Sequence, residues 1–327
     1  PLSDYAAQRR GGRGKSATSM KEDDYIQHLI VTSNHATVLC FTNVGKVYRL
    51  KVYDVPQASR GAKGRPMVNL LPLDANETIT AILPVIDAPK KFKDRLVDFQ
   101  AFVKANKAKL QENEIINAHF VELEAALAEL EDGANDLSDA LRIQLKQLGI
   151  ELSGTDLDDD IINDFAQQAE AVRKNFYVFM ATEYGTIKRV ELEQFSNVRS
   201  NGLRALELNG DDRLIGVAIT DGEQQIMLFS NEGKAIRFAE TDVRSMGRSA
   251  KGVRGMRVTI GASQVEETEE NDVDVEDEDN SDSVVISRIV SLVVVPETGE
   301  VLCASEHGYG KRTPVDDFPT KKRGGKG

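Results

Sequence analysis

A repeated pair of glycine turns constrains the fold of this chain more than any other feature of its sequence. A glycine followed by a short basic segment occurs four times, at Gly45–Arg49, Gly185–Arg189, Gly233–Arg237 and Gly308–Arg312. Each is followed by a basic loop whose last glycine lies 17 or 19 residues after the first, at Gly64, Gly202, Gly252 and Gly327. A fifth loop of this kind ends at Gly14. A period of ~20–50 residues indicates a propeller, a solenoid or another array of repeated units.

The segments between the turns are short and rich in strand-forming residues. In one repeat they are Thr37–Phe41, Lys46–Val52 and Ile79–Val85, and in another Phe176–Ala181, Thr186–Leu192 and Arg213–Ile219. About four short strands per ~50 residues is typical of a propeller blade. The pattern therefore predicts an all-β, propeller-like fold with about five blades. Because the chain starts and stops inside the pattern, we expect it to be part of a longer protein.

Two acidic insertions interrupt the repeat. The loop glycines are spaced by 50, 138, 50 and 75 residues, which leaves inserts of 88 and 25 residues. Charge locates the same two segments, because residues 87–174 have a net charge of −8 and residues 263–286 a net charge of −11, whereas the remainder is +7. We predict propeller blades at 1–85 and 175–327, an α-helical acidic insertion at 86–174, and a disordered acidic loop at about 263–286.

The first insertion has helical periodicity. Apolar residues recur three or four positions apart at Phe92, Leu96, Phe99 and Val103, at Phe120, Leu123, Leu127 and Leu130, and at Leu137, Leu141 and Leu145. Three or four helices should result, with Asn135 or Asp136 as a helix cap. The apolar positions are expected to form the core of a small bundle, although a partner-binding face is the alternative.

Several kinds of chemistry have no support in the sequence. Cys40 and Cys303 cannot form a disulfide framework, and their matched positions five residues before a hairpin glycine predict buried strand residues. Four histidines show no zinc spacing, so no metal site is expected. No phosphate-binding loop or apolar span of ~18 residues is present, which argues against ATP binding by this chain and against a membrane location. We expect no catalytic residues and a cytoplasmic protein.

The basic loops suit binding to phosphate. In the first loop, Gln8–Gly14, the glycines Gly11, Gly12 and Gly14 allow a close approach of the backbone, and Arg9, Arg10 and Arg13 can bind phosphate oxygens in a bidentate way. A single loop of this type could equally be a glycine-rich surface turn whose Lys and Arg side chains are solvated. Five loops at matched positions around a propeller would contact the backbone of bent duplex DNA repeatedly, without reading its sequence.

Gln8–Gly14 resembles the seven-residue box of the C-terminal DNA-wrapping domain of the DNA gyrase A protein. The resemblance extends to Pro1–Ala7, Lys15–Ala17, Arg60–Pro66, Asn69–Leu73, Ala81–Pro84, Val243–Gly247, Gly252–Met256 and Gly308–Thr313. It implies a six-bladed β-pinwheel with strands exchanged between blades, of which about five blades are recognisable. It also implies further DNA contacts by Lys15, Arg60, Lys63, Arg65, Arg199, Arg248, Lys251, Lys322, Arg323 and Lys326.

The same resemblance implies a role in a larger enzyme. The family wraps duplex DNA so that gyrase introduces negative supercoils, in a holoenzyme of two A and two B subunits where ATP and Mg²⁺ are held elsewhere. The isolated domain is expected to be monomeric. Two alternatives stay open, the corresponding domain of topoisomerase IV and a propeller that binds proteins.

Overall fold

The β-strands of the chain are short and mostly antiparallel, as the spacing of the glycine turns requires. The computed structural model describes residues 30–59, 62–85, 92–129, 138–153, 155, 159–259, 287–296, 298–305 and 307–327. In chain order the strands are β1 (Thr37–Thr42), β2 (Lys46–Lys51), β3 (Ile79–Val85), β4 (Tyr177–Thr182), β5 (Thr186–Glu191), β6 (Leu203–Arg204), β7 (Leu214–Thr220), β8 (Gln225–Ser230), β9 (Ala235–Ala239), β10 (Val253–Arg254), β11 (Ile289–Val295), β12 (Glu300–Ala304) and β13 (Gly310–Pro314).

These strands form four sheets that correspond to successive repeats. The strand orders are β3-β1-β2-β6, β10-β5-β4-β7, β11-β8-β9 and the hairpin β12-β13. We call the first three sheets blades A, B and C. The all-β, propeller-like fold predicted from the repeat is confirmed, and the first repeat, which contains Gly14, lies outside the described residues.

The two-residue strands β6 and β10 are exchanged between blades. β6 follows Gly202 in the repeat of blade B but pairs with β2 of blade A, where Val47 faces Leu203. β10 follows Gly252 and pairs with β5 of blade B, where Ile187 faces Val253. Each of these basic loops is therefore fastened to the blade that precedes it. This is the strand exchange of a β-pinwheel.

Contacts between blades define an inner and an outer edge of each sheet. β3, β7 and β11 form one edge strand of each blade and contact one another in sequence. Apolar side chains from blades A and B share one core, in which Leu39 and Val47 pack with Val178 and Leu214. The exchange strands lie at the opposite edge of their sheets, so the basic loops before them lie at the outer edge.

Five α-helices are described between β3 and β4. They are α1 (Phe92–Ala105), α2 (Lys107–Leu110), α3 (Glu114–Ala128), α4 (Asp139–Leu152) and α5 (Asp160–Arg173). Their buried apolar residues form a separate core composed of helix residues, with Phe99, Phe120, Leu141 and Phe165 at 0–1% exposure. The inserted helical subdomain is thus as predicted, but it has five described helices rather than three or four, because the short helix α2 (Lys107–Leu110) follows α1 directly. The exact domain boundaries stay a prediction.

One helix start and one cysteine differ from expectation. The cap of α4 is Ser138, whose side chain accepts the N–H of Leu141, because a cap must directly precede the first helical residue. Asn135 and Asp136 are therefore not that cap. Cys40 is fully buried, as expected, but Cys303 is only half-buried because the hairpin β12-β13 has no third strand paired beside it in the part described. The predicted disordered loop at 263–286 lies outside the described residues.

Candidate nucleic-acid interface

The last glycine of each described basic loop has a left-handed backbone. The φ angles are 72° at Gly64, 80° at Gly202, 95° at Gly252 and 94° at Gly327. A residue with a Cβ is strained in this region, so the repeated glycine has a conformational cause. The loops 60–64, 199–202, 248–252 and 323–327 are called the second to fifth basic loops below, and residues 8–14 the first.

Two of these glycines also allow the loop to touch the neighbouring strand. A Cβ on Gly252 would lie 2.6 Å from the carbonyl oxygen of Ile187, and one on Gly202 would lie 2.6 Å from the ring of Tyr48. Only a hydrogen atom fits in either place. The third and fourth basic loops are therefore packed directly onto the second strand of the preceding blade, which fixes their position at the outer edge.

Most of the predicted contact residues in the described loops face solvent. Exposed side chains are those of Lys63, Arg65, Arg199, Lys251, Lys322 and Lys326, whereas Arg248 and Arg323 are half-buried. Arg323 donates to the backbone oxygens of Asp242 (3.1 Å) and Arg254 (3.0 Å), so part of its guanidinium is used within the fold. The predicted residues Gln8, Arg9, Arg10, Gly11, Gly12, Arg13, Gly14, Lys15 and Arg60 lie outside the described residues.

Two of the arginines that end the hairpin motifs have a different role from the loop cations. Arg49 donates to the backbone oxygen of Ser196 at 3.0 Å, and Arg237 donates to those of Val315 (2.9 Å) and Phe318 (3.2 Å). In each case the acceptor belongs to the next repeat along the chain. Arg49 and Arg237 therefore join neighbouring repeats, whereas Arg312 is exposed and pairs with Glu300 of its own hairpin.

A lysine at the outer edge of blade A is likewise compensated. Lys46 Nζ lies 2.7 Å from a carboxylate oxygen of Asp74 and 3.6 Å from one of Glu77. The hydrogen bond to Asp74 is the main cause of a raised pKa of Lys46. Its charge is thus already neutralised by acidic neighbours, whereas no ion pair is made by the exposed cations of the basic loops that the structure describes.

Two further arginines belong to the outer edge and were not predicted. Arg204 on β6 and Arg254 on β10 are exposed, two residues after the loop glycine in each case. The sequence carried a signal for them, because the last glycine of the third and of the fourth loop is followed by an apolar residue and then by an arginine. Their strands pair only on one side, which leaves the arginines at the rim.

The described basic loops present exposed cations at repeated positions. Across the described ranges, no cluster of three or more His, Cys, Asp or Glu residues is placed to hold a metal ion. No described helix is long and apolar enough to cross a membrane. Exposed Lys and Arg at repeated positions on glycine loops match a partner with regularly spaced phosphates.

Fold and loops together define a class, a strand-exchanging β-propeller that presents glycine-rich basic loops at its outer edge. The chain belongs to the family described as the DNA gyrase C-terminal domain, a β-propeller, whose model matches residues 1–33, 36–86, 177–221, 224–271 and 299–327. The unmatched residues 87–176 include all five described α-helices.

Individual relatives agree with this assignment. The chain is 42% identical over 330 residues to the DNA gyrase A protein of Pseudomonas aeruginosa and 39% identical over 332 residues to that of Haemophilus influenzae. Each match covers 100% of this chain and 28% of the relative, so the chain spans just over a quarter of the length of these proteins.

Solved structures share the fold at low sequence identity. A DNA gyrase A C-terminal domain has a TM-score of 0.55 at 19% identity, with 99% of this chain and 70% of that chain covered. The C-terminal domain of a DNA topoisomerase IV has a TM-score of 0.54 at 19% identity, with 94% and 62% covered. These likenesses concern the fold alone.

Proposed function

We propose that this chain binds duplex DNA through its phosphates and bends the duplex around the outer edge of the propeller. The observation that carries the proposal is the repetition of one local structure. In each described repeat a left-handed glycine ends a basic loop, and in the repeats of blades B and C that loop leads into an exchange strand at the outer edge of the preceding blade. A duplex that follows this edge meets exposed cations at successive blades.

The contacts should be independent of base sequence. The exposed groups on the basic loops are lysine and arginine side chains, which are suited to phosphate oxygens. Phosphate contacts position a duplex without specifying its sequence. Sequence preference would then come from the ease of bending.

Within a complete gyrase, the wrap would give one DNA segment a fixed handedness relative to another. Negative supercoils would follow from ATP-dependent strand passage by the holoenzyme, in which this chain joins the rest of the gyrase A protein and the gyrase B protein, with two copies of each. In this proposal the chain itself contributes no catalytic residue and no cofactor site, and ATP and Mg²⁺ act in other parts of the cytoplasmic enzyme.

The proposal is tested by measuring the affinity for a ~150 base-pair duplex across a salt series. Release of counterions makes the logarithm of affinity fall with that of salt by ~0.9 per phosphate contact, so 6–10 contacts predict a loss of ~10³–10⁵ between ~50 and ~200 mM salt. A triple change to alanine at Lys63, Arg65 and Lys251 should weaken binding and reduce the slope by up to about three.

A matched control removes the same charge away from the outer edge. Lys104, Lys107 and Lys109 are exposed on the helical insertion, so their change to alanine should leave the slope unaltered. A second loop variant, with Arg9, Arg10 and Arg13 changed to alanine, tests the first loop. Equal effects of the loop and control variants would contradict the assignment of the interface, and tight binding without a salt slope would contradict phosphate binding altogether.

A further inference from the structure

A lysine is buried between two of the basic loops. Lys188 on β5 has 0% exposure, and its ammonium nitrogen donates to the backbone oxygen of Arg248 at 2.5 Å and to that of Ala205 at 2.9 Å. Arg248 is the first residue of the fourth loop, and Ala205 follows the exchange strand of the third. One side chain therefore joins the fourth loop to the segment that follows the third, through acceptors 43 residues apart in the chain.

The position of Lys188 in the repeat lies close to a basic loop in blades A and C as well, but a buried charge is not found there, and Lys311 at the same position of the fourth repeat is exposed. It is the third residue after the hairpin glycine, where blade A has Tyr48 and blade C has Ile236. Tyr48 lies against Gly202, and a Cβ on Gly325 would lie 3.5 Å from Ile236. An aromatic or aliphatic side chain therefore suffices for packing here. A buried ammonium is costly to desolvate, so its presence in blade B needs another reason.

We propose that Lys188 is a positioning residue for DNA binding, which fixes the third and fourth basic loops relative to each other and places a positive charge beneath Arg248. The proposal rests on the proposed function. Because the two acceptors are backbone oxygens, the link does not depend on the side chains that bind phosphate. Loss of the link would leave each loop attached to its preceding blade by its exchange strand and its glycine contact, without a direct connection between the two.

The charge of Lys188 should respond to bound phosphate. Burial and, to a smaller extent, the positive charge of Arg248 lower the pKa of Lys188 to about 8, whereas Glu207, beyond the third loop, acts in the opposite direction. A phosphate at Arg248 would favour the ammonium form and raise this pKa. The complex would then bind a proton that the free chain has lost above pH 8, so DNA affinity should fall as the pH rises through 8.

The test compares the chain with Lys188→Met and Lys107→Met, using the ~150 base-pair duplex at one salt concentration and pH 7 to 9. Lys107 is exposed on α2 and provides the same change of charge away from the loops. If DNA binding raises the pKa of Lys188 from about 8 to about 9, the DNA affinity of the unaltered chain and of Lys107→Met should fall by up to about tenfold between pH 7 and 9. Lys188→Met should bind more weakly at pH 7, with a markedly flatter pH profile. Because the other titratable groups are common to all three chains, only the difference between profiles is decisive.

Glu207→Gln provides an independent test in which Lys188 stays in place. Because the carboxylate raises the pKa of Lys188, its removal should move the fall in affinity to lower pH. This variant decides the question if Lys188→Met does not fold, as judged by circular dichroism. An unshifted profile for Glu207→Gln, or a Lys188→Met variant with the affinity and profile of the unaltered chain, would overturn the positioning role. Absence of DNA binding by the unaltered chain at low salt would instead refute the proposed function itself.

Discussion

Substituting alanine for the last glycine of a basic loop should cost very different amounts of stability in two loops. Gly64 and Gly252 end equivalent loops and have φ angles of 72° and 95°. A left-handed residue with a Cβ costs ~1–2 kcal/mol, and both variants incur this cost. They differ in their surroundings, because a Cβ on Gly64 has no neighbour within 4 Å among the described residues, whereas one on Gly252 would lie 2.6 Å from the carbonyl oxygen of Ile187.

The additional cost at Gly252 comes from the clash with backbone. Neither the oxygen of Ile187 nor the loop can move without disturbing the pairing of Val253 with Ile187 that holds β10 on blade B. Introducing an oversized group into a packed site typically costs ~1–3 kcal/mol. We therefore expect Gly64→Ala to lower the free energy of unfolding by ~1–2 kcal/mol and Gly252→Ala by ~2–5 kcal/mol.

Urea unfolding followed by circular dichroism measures both values, since the chain has no tryptophan for fluorescence. The two variants are controls for each other, because they share the change in residue type and in backbone strain. If Gly252→Ala is no more destabilising than Gly64→Ala, the fourth loop does not pack on β5 as described. The fixed position of this loop at the outer edge would then be refuted.

Three further outcomes test other parts of the structure. The hydrogen bond from Arg173 holds the pKa of Glu170 at about 2, so the stability that this pair contributes is present above the ordinary carboxyl pKa and is lost as the pH falls below it. The free energy of unfolding of Glu170→Gln should therefore depend less on pH between about pH 4.5 and 2 than that of the unaltered chain. An unchanged pH dependence in urea titrations would contradict the pairing. Arg237→Met should destabilise the chain by ~1–3 kcal/mol and speed hydrogen exchange near Val315, whereas unaltered exchange there would show that the link between repeats is unimportant. Burial raises the pKa of the Cys40 thiol to about 11, so iodoacetamide at pH 8 should modify it only on unfolding, and rapid modification detected by mass spectrometry would contradict its burial.

The sequence by itself determined the repeat and the turns that produce it. Glycine is the residue that adopts positive φ at little cost, so the spacing of Gly45, Gly64, Gly185 and their equivalents records the backbone directly. Helical spacing in the first insertion predicted side chains such as Phe99 and Phe120 that are buried in the helical core. These are local properties, and local rules of conformation and periodicity suffice to predict them.

Only the tertiary structure decided which cations face solvent. Arg237 and Lys251 are both basic residues of the repeat, yet one bonds to backbone oxygens of the next repeat and the other is exposed. Lys188 in a basic strand gave no sign that it would be buried between two loops. A side chain becomes a link or a ligand-binding group according to the carbonyl groups and apolar surface that distant segments bring to it. Strand exchange brings those segments together from successive repeats, and the identity of one residue does not encode this environment.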